Sequence, residues 1–324
     1  MKHKTTKTVL IVSLAAFAMG GICLGAGIAM GGSPSFYYDK DGIHVLENAK
    51  ELETSDYVLE KTVSDSIKNL EISLYDANLE LVSGTGWEVE YVLSGERYEP
   101  EFSMENETLL IKENENYRSD RYWCVFDGFW GSTSYERQVS PYVKITVPDF
   151  AVLDKADLSV QYGNISIEKA LRAEKLEVTS ESGEMHMDGW VGTSLTCEMD
   201  YGAFVAGALS GEEIMIENYN GNVKMSGLDA ENAVIDMEYG DLETRVGAVH
   251  SLDVEAQNGE VHLKLEKPMS EYGVSLHTKY GTIRTSQGIV KDQDEEADQD
   301  YIELKDERAA IHVYSENGDI MIRD

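Results

Sequence analysis

The sequence predicts an all-β protein, a single-chain β-solenoid (β-helix) of ~19–20-residue repeats preceded by one transmembrane helix. Two observations predict the β-domain. Apolar and polar residues alternate on both sides of a recurring glycine, which is typical of two half-buried strands joined by a tight turn. One such unit is too short to bury its own apolar side, so neighbouring units must stack. The glycines recur at Gly163, Gly183, Gly202, Gly221, Gly240, Gly259, Gly281 and Gly318.

The third observation is the apolar segment at residues 8–32, which follows a short basic end at residues 1–7. No charged residue occurs between Lys7 and Asp39. The segment is long enough to span a bilayer core, which needs about 20 apolar residues. It therefore predicts a transmembrane signal anchor in a cell membrane.

Three lysines, Lys2, Lys4 and Lys7, precede the segment, and an acidic body follows it. The positive-inside rule then predicts a cytoplasmic N-terminus and an extracytoplasmic β-domain. A cleaved signal peptide is an alternative, although its apolar stretch is usually shorter and ends at a small-residue cleavage site. Lipidation at Cys23 is a further alternative.

The remaining chain divides into a linker and the β-domain. Residues 33–66 are polar and predict an irregular juxtamembrane linker, and residues 67–324 predict the β-solenoid. Two segments interrupt its period. Residues 113–141 are rich in tyrosine, tryptophan and phenylalanine, and would either cap the solenoid end or form an aromatic contact surface. Residues 288–305 form an acidic loop.

The repeats predict two rows of inward side chains. One row lies five and seven residues before each glycine, and the other lies two and four residues after it. In the second repeat these positions hold Leu176, Val178, Met185 and Met187. The residue before the glycine alternates between tyrosine and a small polar residue. If one repeat makes one coil, these side chains alternate in one column; if two repeats make a coil, they form two separate edges.

The charge balance excludes one class of partner. The chain has 60 acidic and 27 basic residues, for a formal net charge of -33. Because nucleic-acid affinity depends largely on lysine and arginine displacing counterions, DNA and RNA are poor partners for this surface.

No motif in the sequence predicts catalysis. The chain has no nucleophile elbow, phosphate-binding loop or dinucleotide fingerprint. Cys124 and Cys197 are too few for a disulfide framework, and Cys197 occupies an inward position, where we expect a small buried hydrophobe. His186 and His262 take equivalent positions in repeats too far apart to share a metal. We therefore predict a protein that is not an enzyme.

Outward carboxylates are the candidate site. They recur four residues and two residues before successive glycines, and stacked strands would place them about 4.8 Å apart. At that distance like charges repel by about 1 kcal/mol even in water, so the column favours a counter-ion such as calcium or a cationic partner. A solvated, solubilising face is the alternative. No cofactor is otherwise indicated. The candidate residues are Glu198, Asp200, Glu217, Asp236, Glu238 and Glu255.

Several motifs carry a family resemblance. They are the opening strand pair NLEISLYDANLEL, the strand VKITVP, and the recurring forms YGNISI, SGEMHM, NGNVKM, YGDLET, NGEVHL and NGDIMI. With them the chain resembles a bacterial family of β-strand-repeat domains of unknown function labelled "putative adhesins", which often follow one N-terminal membrane helix. The resemblance implies a cell-envelope location and a role in adhesion or envelope stress, and it implies no catalytic residues.

Together these observations predict a non-catalytic binding or scaffold protein of the cell envelope. Its partner would be a cell-wall polymer or another envelope protein. One alternative is an accessory component of an envelope-stress system that binds a membrane protein. A second alternative is a calcium-dependent polysaccharide lyase, because some solenoids catalyse with carboxylate-bound calcium.

Overall fold

The computed structural model describes residues 2–30, 35–39, 42–45, 56–63, 66–95, 97–116, 122–125, 140–290, 298–305 and 310–324. Its chain forms two compact units. The smaller comprises Met1–Ser55, Gly95–Tyr98 and Asn116–Gln138, and the larger comprises Asp56–Ser94, Glu99–Glu115 and Val139–Asp324.

The smaller unit begins with helix α1, Lys2–Ala29. Within the described residues α1 contains the candidate membrane span, Val9–Gly27, which has a mean hydropathy of 2.3. The side chains of Val9–Gly27 are exposed, as expected of a helix whose apolar surface is not packed against protein. The predicted N-terminal apolar helix is therefore confirmed.

The smaller unit also contains a three-stranded antiparallel sheet. Its strands are β1 (Ser35–Asp39), β2 (Gly42–Val45) and β9 (Tyr122–Val125), in the order β2–β1–β9. The range predicted as an irregular linker, 33–66, thus contains strands, because short aromatic and β-branched runs such as SFYYD and GIHV favour pairing over loop. Most of the aromatic insertion, residues 117–121 and 126–139, lies outside the described residues.

The described residues of the larger unit form a continuous sheet of 21 strands and one short helix, α2 (Met269–Tyr272). The all-β prediction is therefore confirmed. The strands before the regular repeats are β3 (Tyr57–Val63), β4 (Asn69–Leu74), β5 (Asn78–Gly84), β6 (Trp87–Leu93), β7 (Glu101–Glu105), β8 (Thr108–Lys112) and β10 (Tyr142–Pro148).

Long strands dominate the middle of the larger unit, and short ones close its end. The long strands run through the bends between repeats. In chain order the strands are β11 (Leu153–Tyr162), β12 (Ile165–Ser182), β13 (Met185–Val191), β14 (Ser194–Tyr201), β15 (Phe204–Asn220), β16 (Val223–Tyr239), β17 (Leu242–Asn258), β18 (Val261–Leu265), β19 (Val274–Thr278), β20 (Ile283–Thr285), β21 (Gly288–Ile289), β22 (Gln299–Glu303), β23 (Ile311–Asn317) and β24 (Ile320–Arg323).

Each regular repeat pairs in parallel with the next, residue beside equivalent residue. Tyr201 lies opposite Asn220, and Asn220 lies opposite Tyr239. One repeat therefore makes one level of the stack, and tyrosine alternates with small polar residues in a single column. We call the strand segments before the turn glycines the first face and the segments just after them the second face.

The two predicted inward rows form the core. Leu176, Val178, Met185 and Met187 are all buried, and so are their equivalents through Leu263. Cys197 is fully buried, and this burial raises its thiol pKa to about 12, as expected of an inert hydrophobe. Residues 291–297 of the acidic loop lie outside the described residues, but its flanks form β21 and β22 rather than loop.

A third inward row was not predicted. After the second face each repeat bends and pairs again, so that Trp190 lies opposite Leu171 and Leu209. These residues and Leu228 are buried. The Trp190 indole N–H donates to the carbonyl of Ala173 at 3.1 Å. The bend displaces this row from simple alternation: Met187 and Trp190 are both buried although they are three residues apart.

The turn glycines are required by the stacking itself. Gly240 has φ 133°, and a Cβ there would lie 2.1 Å from the carbonyl oxygen of Gly221 in the preceding repeat. The residue after the glycine also links repeats: Asn222 Oδ1 accepts the backbone N–H of Asp241 at 2.9 Å. Asn164 and Asp241 accept a backbone N–H of the next repeat in the same way.

Both ends of the stack depart from sequence order. Strand β4 lies between β8 and β11, and β5 lies between β10 and β12. At the other end, β23 lies between β17 and β19, and β24 lies between β18 and β20. Strands β23 and β24 therefore occupy an inner level, β19 and β20 form the level outside it, and β22 and β21 pair with β19 and β20 at the edge.

Candidate functional site

Four of the predicted carboxylates form one continuous column on the first face. Glu198 lies opposite Glu217, Glu217 opposite Asp236, and Asp236 opposite Glu255. Each points outward because the neighbouring positions on its strand, such as Cys197 and Ile216, point into the core. We call these four residues the acidic column.

The two other predicted carboxylates, Asp200 and Glu238, do not adjoin one another. The register of β14, β15 and β16 places Tyr219 between them. A second acidic row is therefore interrupted by an aromatic side chain at its centre.

Tyr219 belongs to a row of three exposed tyrosines on consecutive repeats. Its ring centroid lies 6.3 Å from that of Tyr201 and 6.1 Å from that of Tyr239, with interplanar angles of 71° and 70°. The exposed fractions of Tyr201, Tyr219 and Tyr239 are 53%, 45% and 45%. Edge-to-face contacts of this kind fix the rings relative to one another while leaving them open to solvent. We call these residues the tyrosine row.

Sequence reasoning missed the tyrosine row. It identified Tyr201 and Tyr239 as the residues before their glycines, but Tyr219 lies two residues before Gly221. The signal in the sequence was that Tyr219 takes the position that Asp200 and Glu238 take in the neighbouring repeats. That Tyr219 lies beside Tyr201 and Tyr239 follows only once one repeat is known to make one level of the stack.

The first face is negatively charged around these rings. The pKa of Tyr219 is raised, chiefly by the negative charge of Glu238, because a phenolate beside a carboxylate is disfavoured. In the described residues none of the six predicted carboxylates forms an ion pair. Lys224, the one basic residue from Met185 to Asp241, lies on the second face, and its Nζ pairs there with Glu243 at 2.6 Å.

A groove of about 440 Å³ opens at the N-terminal end of the first face. Glu198 and Asp200 line it, together with Glu181 and Glu113. Glu113 is 3% exposed and accepts the backbone N–H groups of Tyr75 at 2.8 Å and Asp76 at 3.1 Å. Burial raises the pKa of this carboxyl above its ordinary value, and the neighbouring Asp76 raises it further.

A second groove of about 350 Å³ lies at the C-terminal end of the same face. Asp236, Glu255 and His277 are among its lining residues. The His277 ring stacks on Tyr314 at 5.3 Å, and its Nδ1 lies 2.6 Å from Asp300 Oδ1. This histidine ties the outermost strand, β22, to the end of the acidic column.

The same end contains a lysine held between an aromatic ring and a carboxylate. Lys279 Nζ lies 5.2 Å from the ring centroid of Tyr280 and 3.2 Å from Glu316 Oε1. The chain thus supplies its own cation to a tyrosine and a carboxylate on two neighbouring levels at this end of the first face.

No metal centre is evident in the part of the chain that the structure describes, where no three His, Cys, Asp or Glu side chains converge on one point. His186 Nε2 instead lies 3.5 Å from Asp188, and His262 Nε2 lies 2.9 Å from Glu260. The arrangement of the first face can attract cations along a line, but it does not gather ligands around one ion. Calcium therefore remains an expectation.

The family model described as Toastrack DUF4097 matches residues 67–323. No curated protein matches the chain. Solved structures show a distant similarity. A crystal structure described as a putative adhesin from Bacteroides fragilis shares 13% identity with a TM-score of 0.43, covering 84% of this chain and 97% of that one. One from Parabacteroides distasonis, also described as a putative adhesin, shares 10% identity with a TM-score of 0.45, covering 82% and 96%.

Proposed function

The chain belongs to the Toastrack DUF4097 family, and from this premise we propose that residues 67–324 form a β-solenoid that acts as a non-catalytic binding scaffold. Helix α1 would hold it at a cell membrane with the N-terminus in the cytoplasm. The solenoid assignment is supported by parallel pairing in which Glu198, Glu217 and Asp236 follow one another at the period of the repeat.

The observation that carries the proposal is the first face. Its strands present aligned carboxylates and exposed tyrosines on a ladder whose register is fixed by the buried rows beneath. Tyrosine is enriched at protein interfaces because it combines a large apolar ring with a polar hydroxyl. A regular face of this kind suits an extended ligand that contacts several repeats at once.

The chemistry of the face supports a non-catalytic role. The carboxylates recur at one strand spacing along an open sheet, and the described first-face segments at residues 194–201, 213–220 and 232–239 carry no lysine or arginine. A binding surface needs only complementary charge and shape, whereas acid–base catalysis needs groups converging on one bond.

Co-sedimentation tests the proposal. The full chain in a non-ionic detergent is mixed with isolated cell-wall sacculi, and separately captured on beads and mixed with solubilised membrane protein, each with calcium and with chelator. We expect saturable binding to one fraction, weakened in the Glu217→Gln, Asp236→Asn double variant. The matched control is Glu168→Gln, Glu184→Gln, which removes the same charge from other parts of the surface.

Binding to a membrane protein rather than to the wall would place the scaffold in an envelope-stress assembly. Equal binding by the two double variants, or none in either fraction, would contradict the proposed face. Release of unsaturated sugars from the sacculi would contradict the non-catalytic role.

A further inference from the structure

The tyrosine row has no role in the core. Tyr201, Tyr219 and Tyr239 are about half exposed, and their rings contact one another. The inward residues on the same strands, such as Ile216 and Ile235, already fill the interior. Exposed aromatic side chains that pack on one another form a preassembled surface, which loses little conformational entropy when a partner binds.

Charge selects the partner. Neighbouring carboxylates in the acidic column lie one strand spacing apart, about 4.8 Å, and repel one another. A cationic partner relieves this repulsion, whereas a neutral glycan does not and an anionic polymer increases it. The complementary ligand is therefore positively charged.

The molecule contains an internal example of the recognition. At the C-terminal level of the first face, Lys279 lies over the Tyr280 ring and pairs with Glu316. Tyr219 and Glu238 offer the same two groups in the middle of the face, but the first-face segments at residues 194–201, 213–220 and 232–239 contain no lysine or arginine. Lys279 supplies a cation to these groups at the end of the stack, whereas the first face around Tyr219 has no such lysine.

We propose that the first face binds an extended, arginine-bearing segment of a partner protein, with guanidinium groups against the tyrosine row and the acidic column. This inference rests on the proposed function, because it names the partner of the same face. Arginine fits better than lysine because its planar guanidinium stacks on aromatic rings and pairs with carboxylates through a fork of donors.

The probes are two synthetic peptides of equal charge, one of four Arg-Ser repeats and one of four Lys-Ser repeats. Their affinity for the full chain in non-ionic detergent is measured by titration calorimetry at low and at physiological salt. Native protein should bind the arginine peptide about two- to fivefold more tightly than the lysine peptide, the range of an exposed cation–π contact.

Tyr219→Leu isolates the ring. It should weaken binding of the arginine peptide by about two- to fivefold and bring the two peptides to similar affinity. Tyr98→Leu is the matched control, because Tyr98 is exposed to a similar extent and is not part of the first face. The Glu217→Gln, Asp236→Asn variant should weaken both peptides alike, and added salt should do the same. Unchanged thermal unfolding would show that each variant is folded.

Several results would overturn the inference. They are no binding of either peptide, equal affinity of the two peptides for native protein, and no effect of Tyr219→Leu. If soluble cell-wall glycan fragments bind and Tyr219→Leu abolishes that binding, the tyrosine row binds a sugar. If the protein self-associates and Tyr219→Leu abolishes the self-association, the row binds a second copy of the chain. If sacculi or membrane protein still bind through the acidic column but neither peptide binds, the arginine-bearing partner is wrong and the proposed function stands. If all binding fails, the proposed function fails too.

Discussion

Glu113 illustrates how a single side chain outside the regular repeats can organise a turn. In the first level of repeats the turn glycine is replaced by Ala77, and the carboxylate of Glu113 accepts the N–H groups of Tyr75 and Asp76 before it. The cost is a buried carboxyl beside another carboxyl, which favours its protonated form. Stability at this end of the stack is therefore linked to pH.

We predict that Glu113→Gln reduces that pH dependence. Because the folded-state pKa is raised, the group's stabilising contribution is full below the unfolded pKa of about 4.3 and is lost as pH rises through the folded value. The free energy of unfolding of native protein, relative to Glu113→Gln, should thus fall as the pH rises above the unfolded pKa. Urea denaturation over a series of pH values measures it, with exposed Glu105→Gln as control. A constant difference would contradict the assigned cause.

At the scale of the element, the glycine turn is the unit that sets the period. Its backbone N–H donates to the next repeat, as Gly221 does to the carbonyl of Tyr239 at 2.8 Å, and its missing side chain lets the two turns approach. Asn222 then accepts the N–H of Asp241. The turn is therefore defined by its neighbour as much as by its own conformation.

We predict that Gly240→Ala destabilises the β-domain by at least about 2 kcal/mol, since it combines an unfavourable φ with a backbone clash. The control is Gly86→Ala, where a Cβ meets no atom within 4 Å, and its cost should stay within about 0.5 kcal/mol. Urea denaturation of both variants measures the difference. Similar costs would show that stacking does not require the turn glycine.

The sequence predicted most of the strand pattern, because alternation and the glycine period are local signals. It correctly identified the buried rows of Leu176 and Val178 and of their equivalents. It missed Trp190 and Leu209, because a bend breaks the alternation before them. It placed the acidic column but not the contact of Tyr219 with Tyr201, because side-chain neighbours depend on which repeats stack.

At the scale of the whole molecule, the order in which strands stack differs from their order in the chain. Strands β23 and β24 pair on both sides, with β17 and β18 below and β19 and β20 above. The C-terminal segment is therefore an internal level of the stack, and the outer level depends on it for pairing.

We predict that deleting residues 311–324 disorders the C-terminal end without unfolding the middle of the stack, because nearest-neighbour interfaces dominate such folds. Hydrogen exchange should lose protection in β19 and β22 and keep it in β14 and β15. Deleting residues 323–324 is the control, since it leaves Ile320 and Ile322 buried. Retained protection of β19 in the longer deletion would contradict the dependence.

The internal position of β23 also gives the domain an order of assembly. As the chain leaves the ribosome, the repeats from β11 to β18 can stack one on the next as they emerge. The level formed by β19 cannot do so, because its neighbour β23 follows it in the chain. A nascent chain halted between β19 and β23 would thus present an unfinished edge, and synthesis of β23 is the event that closes it.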